Sequence, residues 1–398
     1  MRILFHGPGS TFVRPATRLP SLGGVQYGIV DTLAGIKPSH DLTGNRGNLI
    51  HGEAPSRILA CDPARSANTN IGGLQRALGE RYATLVGDNF DLLVLSLANM
   101  IRPRLDMTRL LNALKPLVGR IPIVVLGMGK QGRAPLADLH PSVRDLLSLF
   151  NDDALVMGVR GLETRDWLHQ NGFGNAVALG CPSLYCYPQS ILEIDATELR
   201  AKGQQAEVLT AGYVTTRDGH NQARGAALVR ALKGLSASYV FQDEFFAYGD
   251  LANRPFGYNE ATCMADAASL NAMLSAENGL PVSFRRYYYF NDSAAWRQAA
   301  HAHDVYVGDR FHGGVASLHA GRPTVMLAHD NRVEELADFF GVPRMTTGEF
   351  ARKGLAGTVA EDLSDERLAR MKDTYRTRHA EFVAALARHQ IGVVTRLP

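Results

Sequence analysis

Cysteine is scarce in this chain: four among 398 residues, at positions 61, 181, 186 and 263, too few for a disulfide framework. Cys181 and Cys186 lack CxxC spacing and no second pair matches them, so spacing gives no zinc site, and the expectation is reduced, structural thiols in a cytoplasmic protein with no metal. Long hydrophobic runs are missing too. None reaches the ~18 residues of a membrane span, and the longest, at 92–100 and 121–128, have the length of strands. The opening Met1-Arg2-Ile3-Leu4-Phe5-His6-Gly7 breaks at Gly-Pro-Gly without a charged n-region or a cleavage site, and reads as a first strand rather than a signal peptide. Charge of one sign is also absent, with 42 Lys and Arg against 39 Asp and Glu and a net +3. That excludes the broad basic face of a nucleic-acid or membrane-surface binder, so any bound anion must be met by a few placed cations. There is no GxSxG elbow around Ser317 or elsewhere to support hydrolase chemistry, no repeat of solenoid length and no low-complexity tract.

What is present is globular composition, 45% hydrophobic and 20% charged, in a chain long enough for two to three domains. Short β-type apolar runs alternate with longer segments of helical period, the signature of an α/β architecture with parallel sheets. Asp91-Leu-Leu-Val-Leu-Ser96 and Ile121-Pro-Ile-Val-Val-Leu126 are apolar on both faces, as buried parallel strands are; Leu155-Val-Met-Gly-Val159 and Ala176-Val-Ala-Leu179 continue the series. Between the last two, 163–172 reads as a helix with Trp167 and Leu168 on one side and a left-handed glycine stop. The pattern recurs with strands at 208–214, 239–241, 304–307 and 323–327 and a helix at 222–235. The Pro-bounded stretch 181–190 and the polar stretch 198–205 separate two Rossmann-like halves, 1–190 and 200–360. Residues 364–389 place Leu368, Met371, Tyr375, Phe382 and Leu386 at three- to four-residue intervals behind Asp365 and Glu366, a long amphipathic helix that needs a groove.

The strongest local signal runs from Asp304 to Leu327 and reads strand, turn, helix, glycine stop, strand. Its turn puts Arg310 and His312 at the carboxyl end of a parallel strand where a helix begins, the place where open α/β sheets bind anions. The alternative is that Arg310 pairs with Asp309 or another carboxylate and His312 merely caps and packs. Gly127-Met-Gly129-Lys-Gln-Gly132 matches GxGxxG behind a strand, but no helix opens within the glycines; the next one starts near His140-Pro-Ser142, so a dinucleotide fingerprint is rejected. That loop still has reach to a ligand in the cleft. Asn45, Arg46, Asn48, His51 and Glu53 sit in a polar turn leading into a helix and suit hydrogen bonding to sugar hydroxyls, or form a plain solvent loop. Arg217 ends the first strand of the second half and could face the same cleft. Arg285-Arg-Tyr-Tyr-Tyr-Phe290 reads as a short strand with an exposed basic edge.

At these residues the chain resembles the polysaccharide pyruvyl transferase family. The resemblance rests on Gly44-Asn-Arg-Gly-Asn-Leu-Ile, Val125-Leu-Gly-Met-Gly, Val159-Arg160-Gly-Leu-Glu163-Thr, Gly180-Cys-Pro-Ser183 and above all Asp309-Arg310-Phe311-His312. The last is followed by 316–321, Pro323-Thr-Val and Asn331-Arg-Val-Glu-Glu-Leu, for a span of about 40–345. It implies a glycosyltransferase B-like fold of two Rossmann-like domains facing a cleft, the first on the acceptor side and the second on the donor side, with the 364–389 helix crossing back to the N-terminal domain. It also implies an enzyme of exopolysaccharide or other cell-surface glycan modification, which transfers pyruvyl from phosphoenolpyruvate, as co-substrate and without a cofactor, to a sugar or lipid-linked oligosaccharide as a ketal. Carried over residue by residue, donor binding falls to Arg310, Phe311, His312 and Arg217, with His312 as proton donor or phosphate ligand and so the catalytic candidate. The family pattern places its Gly-Asn turn closer to the first strand than here, where 7–41 intervenes. Two other readings share the same shape: a nucleotide-sugar-dependent glycosyltransferase, whose diphosphate suits the same Arg and helix terminus, and a catalytically silent carbohydrate-binding relative.

Overall fold

The computed structural model describes residues 1–6, 45–214, 219–245, 257–259, 264–290 and 292–398. Arg217, Cys263 and the 7–41 segment lie outside the described residues. Strands β1 (Ile3–His6), β2 (Ala67–Asn68), β3 (Leu92–Ser96), β4 (Ile123–Met128), β5 (Ala154–Val159) and β6 (Ala176–Ala178) form a parallel sheet in the order β2-β1-β3-β4-β5-β6. A second parallel sheet uses β7 (Glu207–Thr210), β8 (Ser236–Phe241), β11 (Tyr287–Tyr289), β12 (Val305–Gly308), β13 (Thr324–Leu327) and β14 (Arg344–Met345) in the order β11-β8-β7-β12-β13-β14. Between β8 and β11 in the sequence, β9 (Tyr258–Asn259) pairs antiparallel with β10 (Met264–Ala265). The second sheet grows outward in both directions from β7 and β12, the doubly wound Rossmann order, and the first reverses between β1 and β3.

β3 and β4 are buried along their whole length, which is why they read as unbroken apolar runs. Alternate side chains leave opposite faces. Leu92, Val94, Val124 and Leu126 join a core that continues into the second half; Leu93, Leu95, Ile123 and Val125 join a separate outer core with Val143, Leu146 and Phe150 of the helix Pro141–Asp153. β11 is an edge strand, as the basic, aromatic 285–290 stretch suggested.

The helix Asp365–Ala387, capped by Ser364, buries Leu368, Met371, Tyr375, His379, Phe382 and Leu386. Its groove is made by both halves. Phe382 stacks on Tyr185 with ring centres 4.3 Å apart, Tyr375 donates to the Leu184 carbonyl at 2.9 Å, and Tyr375 also meets Phe340 of the second half. The tail then closes onto the first half, where the Ala60 and Val394 amides bond the Gly392 and Ile58 carbonyls, each at 2.8 Å. The result is the expected glycosyltransferase B-like arrangement, two parallel α/β halves facing a cleft with the C-terminal helix returning to the first.

One expectation needs correction. β7 stops at Thr210 rather than at 214; beyond it the Ala211 carbonyl still bonds the Asp309 amide past the end of β12, and the Gly212 carbonyl accepts from the Tyr239 hydroxyl instead of from a strand. The polar 198–205 stretch forms the helix Thr197–Lys202 followed by a 3-10 turn, Gly203–Gln205. Among the described residues no helix is long and apolar enough to cross a membrane.

Candidate active site

The cleft lies where the strands of both sheets end at their carboxyl termini. Asn99 follows β3, Gly127 closes β4, Arg160 follows β5, Gln242 follows β8, Asp309 and Arg310 follow β12, and His329 follows β13. All of them line one cavity, of about 70 Å³, together with Asn45, Asn48, His51, Cys181, Phe311, His312 and Arg332.

On the second-half side, the helix Phe311–His319 starts at Arg310 without a side-chain cap, leaving its first amides toward the cleft. Arg310 is 8% exposed. Its guanidinium lies 3.7 Å from the Tyr213 ring centre and bonds Glu244 at 3.1 Å and Asp243 more closely still. Burial opposes its charge, but Asp243, Tyr213 and Glu244 outweigh that and push its pKa well above the ordinary value. Glu244 is the counterpart: burial pushes its carboxyl up to about 8 against the pull of Arg310. The hydrogen bonds agree with a protonated Glu244, since Oε1 sits 2.8 Å from the Tyr239 hydroxyl, which itself bonds the Gly212 carbonyl at 2.7 Å, while Oε2 accepts from Gln242 and Arg310. One proton on Oε1, passed as a donor to Tyr239, satisfies the whole chain.

On the first-half side, the helix Gly47–Ile58 brings His51 to the cavity floor and abuts the helix Phe311–His319 so closely that a Cβ on Gly47 would lie 2.9 Å from that of His312. Gly127 and Gly129 serve the site differently from a phosphate-binding loop. Gly127 has φ +72°, and a Cβ there would meet His51 at 2.7 Å and Pro182 at 2.8 Å; one on Gly129 would collide with the Arg160 guanidinium. The two glycines make room for the side chains that line the cleft. Arg160 donates to Glu335 at 2.9 Å and to Asn99 at 2.7 Å, and Glu335 also accepts from the Thr164 amide and hydroxyl, so a buried ion pair joins the two halves. Arg332 pairs with Asp330 at 2.6 Å.

Among the buried polar atoms of the cavity wall without a hydrogen bond of ordinary geometry are Nη2 of Arg160, Nε of Arg310 and Nε2 of Gln242, along with the ring nitrogens of His329, Nε2 of His51 and Oδ1 of Asp309. Beside them, Cys181 Sγ stands 3.3 Å from Nδ1 of His51 and 3.5 Å from Nε2 of His312. Burial pushes the His51 ring down to about 4 and the Cys181 thiol up to about 11. Burial, with His51, His319 and Arg332, holds His312 well below the usual histidine value. All three side chains are neutral at neutral pH.

Of the residues singled out in the sequence, Asn45, Asn48, His51, Arg310, Phe311 and His312 come together around the cavity. Arg46 and Glu53 do not line it. Arg46 is fully buried, donating to the Phe290 carbonyl at 2.9 Å and lying over the Tyr289 ring; Glu53 pairs with Arg57 at 2.7 Å and accepts from Ser293 at 2.9 Å. The carboxylate partners foreseen as one alternative for Arg310 are present, as Asp243 and Glu244 rather than Asp309, which pairs with Arg224 at 2.9 Å. Asn99, Arg160, Cys181, Gln242 and Arg332 were missed as site residues. Four of the five, Asn99, Arg160, Cys181 and Gln242, sit just beyond the end of an apolar strand, and that position is the signal that could have found them.

The sequence model of the family described as polysaccharide pyruvyl transferase matches residues 104–331, a stretch that takes in Arg160, Cys181, Arg310 and His312 but begins after the polar turn at Asn45. No curated protein matches the chain. Among solved structures, the chain is similar to Anabaena Alr3699/HepE in complex with UDP and glucose, at 15% identity with 98% of each chain covered and a TM-score of 0.44. It is also similar to the UDP-GlcNAc 2-epimerase from Neisseria meningitidis bound to UDP-GlcNAc, at 11% identity with 98% of this chain and 100% of that one covered and a TM-score of 0.47. The family match extends over more than half of the sequence, and on that ground the chain belongs to the polysaccharide pyruvyl transferase family.

Proposed function

We propose that the protein transfers a pyruvyl group from phosphoenolpyruvate to two hydroxyls of a sugar, giving a cyclic ketal and inorganic phosphate. The observation that carries this reading is the ring of unpaired donors, Arg160 Nη2, Arg310 Nε and Gln242 Nε2, around a cavity of small-molecule size. A buried donor left unmet costs about 1–3 kcal/mol, so three in one cavity fit an oxygen-rich ligand that meets them. Phosphoenolpyruvate brings phosphate and carboxylate oxygens together in a molecule of ten heavy atoms or so, which suits a cavity with room for a few waters. Glu244, protonated, leaves Asp243 as the charged partner of Arg310, and Arg160 and Arg332 add two further guanidiniums to the wall.

The chemistry forms two C–O bonds to one carbon, by an addition and then a substitution. A first sugar hydroxyl adds to C2 of the donor while C3 takes a proton; a second hydroxyl then displaces phosphate from C2, its proton leaving with the phosphate. Fixed donors on the phosphate and carboxylate stabilise the charge that shifts in both steps. His312, held neutral by burial, suits the phosphate-ligand role better than that of a standing acid. The acceptor, a sugar or lipid-linked oligosaccharide of a cell-surface glycan, enters beside Asn45 and Asn48.

The test is incubation with phosphoenolpyruvate and a panel of glycans, read by phosphate release and by mass spectrometry for added pyruvyl, alongside thermal unfolding with phosphoenolpyruvate, nucleotide sugars and oligosaccharides. Phosphoenolpyruvate at a hundred times its dissociation constant is expected to stabilise the fold by about 2.7 kcal/mol, and His312→Ala to lower kcat/KM about 100-fold or more. Stabilisation by nucleotide sugars and none by millimolar phosphoenolpyruvate would replace this reading by the nucleotide-sugar one.

A further inference from the structure

We propose that His51, Cys181 and His312 form a binding site for a borderline divalent metal ion, Zn²⁺ by the character of its ligands. The three ligand atoms lie within 4.8 Å of one another. With Zn–S near 2.3 Å and Zn–N near 2.0–2.1 Å, a tetrahedral ion separates a sulfur from a nitrogen ligand by roughly 3.6 Å. The Cys181 Sγ stands 3.3 Å from His51 Nδ1 and 3.5 Å from His312 Nε2, so two edges of the tetrahedron are already close to their metal-bound lengths. Two imidazoles and a thiolate favour Zn²⁺ over Mg²⁺ or Ca²⁺, which take oxygen ligands.

The surroundings supply what a metal site needs beyond its ligands. Ser183 Oγ lies 2.9 Å from Cys181 Sγ and can donate to the thiolate. His51 is 1% exposed, and its outward Nε2 finds no hydrogen bond of ordinary geometry although the Leu97 carbonyl acts on the ring. Fixing Nδ1 on an ion settles the tautomer and leaves the proton on Nε2. A Cβ on Gly127 would lie 2.7 Å from Cε1 of His51, so the glycine there is what lets the ring sit where it does. Arg160 and Arg332 oppose a cation here; the thiolate cancels one of its two charges, and an anionic ligand in the cavity answers the other. All three ligands line the cavity, so the fourth side of the ion faces it, where a water or a phosphate oxygen completes the coordination.

The cluster is invisible in the sequence because its members are 130 and 131 residues apart. The experiment uses the full chain without a histidine tag, exposed to excess Zn²⁺, passed through gel filtration and analysed for metal; Co²⁺ in place of Zn²⁺ gives an optical readout. One equivalent of zinc per chain is expected, with a near-ultraviolet thiolate-to-cobalt band and the visible bands of a tetrahedral ion. Cys181→Ser, confirmed folded by circular dichroism, is expected to lose the near-ultraviolet band and at least tenfold in metal affinity, while Cys186→Ser keeps both. Wild-type retention below half an equivalent, or retention by Cys181→Ser equal to wild type, overturns the proposal. Neither donor nor acceptor enters these measurements, so the metal site and pyruvyl transfer stand or fall separately.

Discussion

Arg310 shows how one residue serves both readings its motif allowed. It is paired, with Asp243 and Glu244, and it also faces the cleft with an Nε that has no acceptor. Glu244 makes this possible by keeping its proton, and that has a consequence for stability. Its carboxyl titrates near the ordinary 4.5 when unfolded and at about 8 when folded. Across that window the folded chain holds a proton that the unfolded chain has released, so stability is fully present below pH 4.5 and is lost as the pH rises through 8. Glu244→Gln keeps the shape of the group and removes the titration. Urea unfolding from pH 5 to pH 9 should show wild type losing up to about 1.4 kcal/mol per pH unit relative to the variant; parallel profiles would mean that Glu244 is ionised in the fold. Arg310 and His312 were legible in the sequence because they sit two residues apart in one strand-turn-helix signal. Arg160 and Cys181 were not, since their partners Glu335 and His312 are distant in sequence.

At the scale of elements, the C-terminal helix was the most legible feature and the least informative about its own contacts. Apolar spacing fixed which face it buries, and Ser364 with Asp365 and Glu366 fixed where it starts. What it buries against required the structure: Tyr185, from the turn after β6, stacks on Phe382, and the Leu184 carbonyl takes the Tyr375 hydroxyl. Phe382→Ala should therefore cost about 3–5 kcal/mol, as large cavities in cores do, with the loss visible in thermal unfolding. A cost below about 1 kcal/mol would show that the helix is only loosely seated. The GxGxxG stretch teaches the converse. No helix opens within its glycines, the next α-helix beginning at Pro141, and the spacing alone could not say that they clear space for His51 and Arg160.

For the whole molecule the decisive contact is the ion pair between Arg160 at the end of β5 and Glu335 in the helix Asn331–Phe340, with side chains 4% and 3% exposed. It joins the halves beside the cavity, reinforced at the rim by Lys130, Glu163 and Asn331. Removing one partner leaves a buried charge unmet. Glu335→Ala should destabilise the protein by about 3–5 kcal/mol, measured by denaturant unfolding, and should raise protease sensitivity at the 181–205 connection. If the doubly apolar Arg160→Met, Glu335→Leu protein were just as unstable, the loss would lie in shape rather than in the uncompensated charge.

The sequence by itself determined the α/β class, the doubling into two halves, the C-terminal helix and the turn that carries Arg310 and His312. Each of these is written in local periodicity or in contiguous residues, and the reason is physical: strands buried on both faces and helices with one apolar face impose their pattern within a dozen residues. The tertiary structure alone decided which side chains share the cleft. It left Arg46 and Glu53 outside the cavity, paired Arg310 with carboxylates more than sixty residues upstream, and set His51, Cys181 and His312 within 4.8 Å of one another. Such contacts depend on how two sheets and a crossing helix settle against each other, a balance of burial summed over the whole chain that no local pattern records.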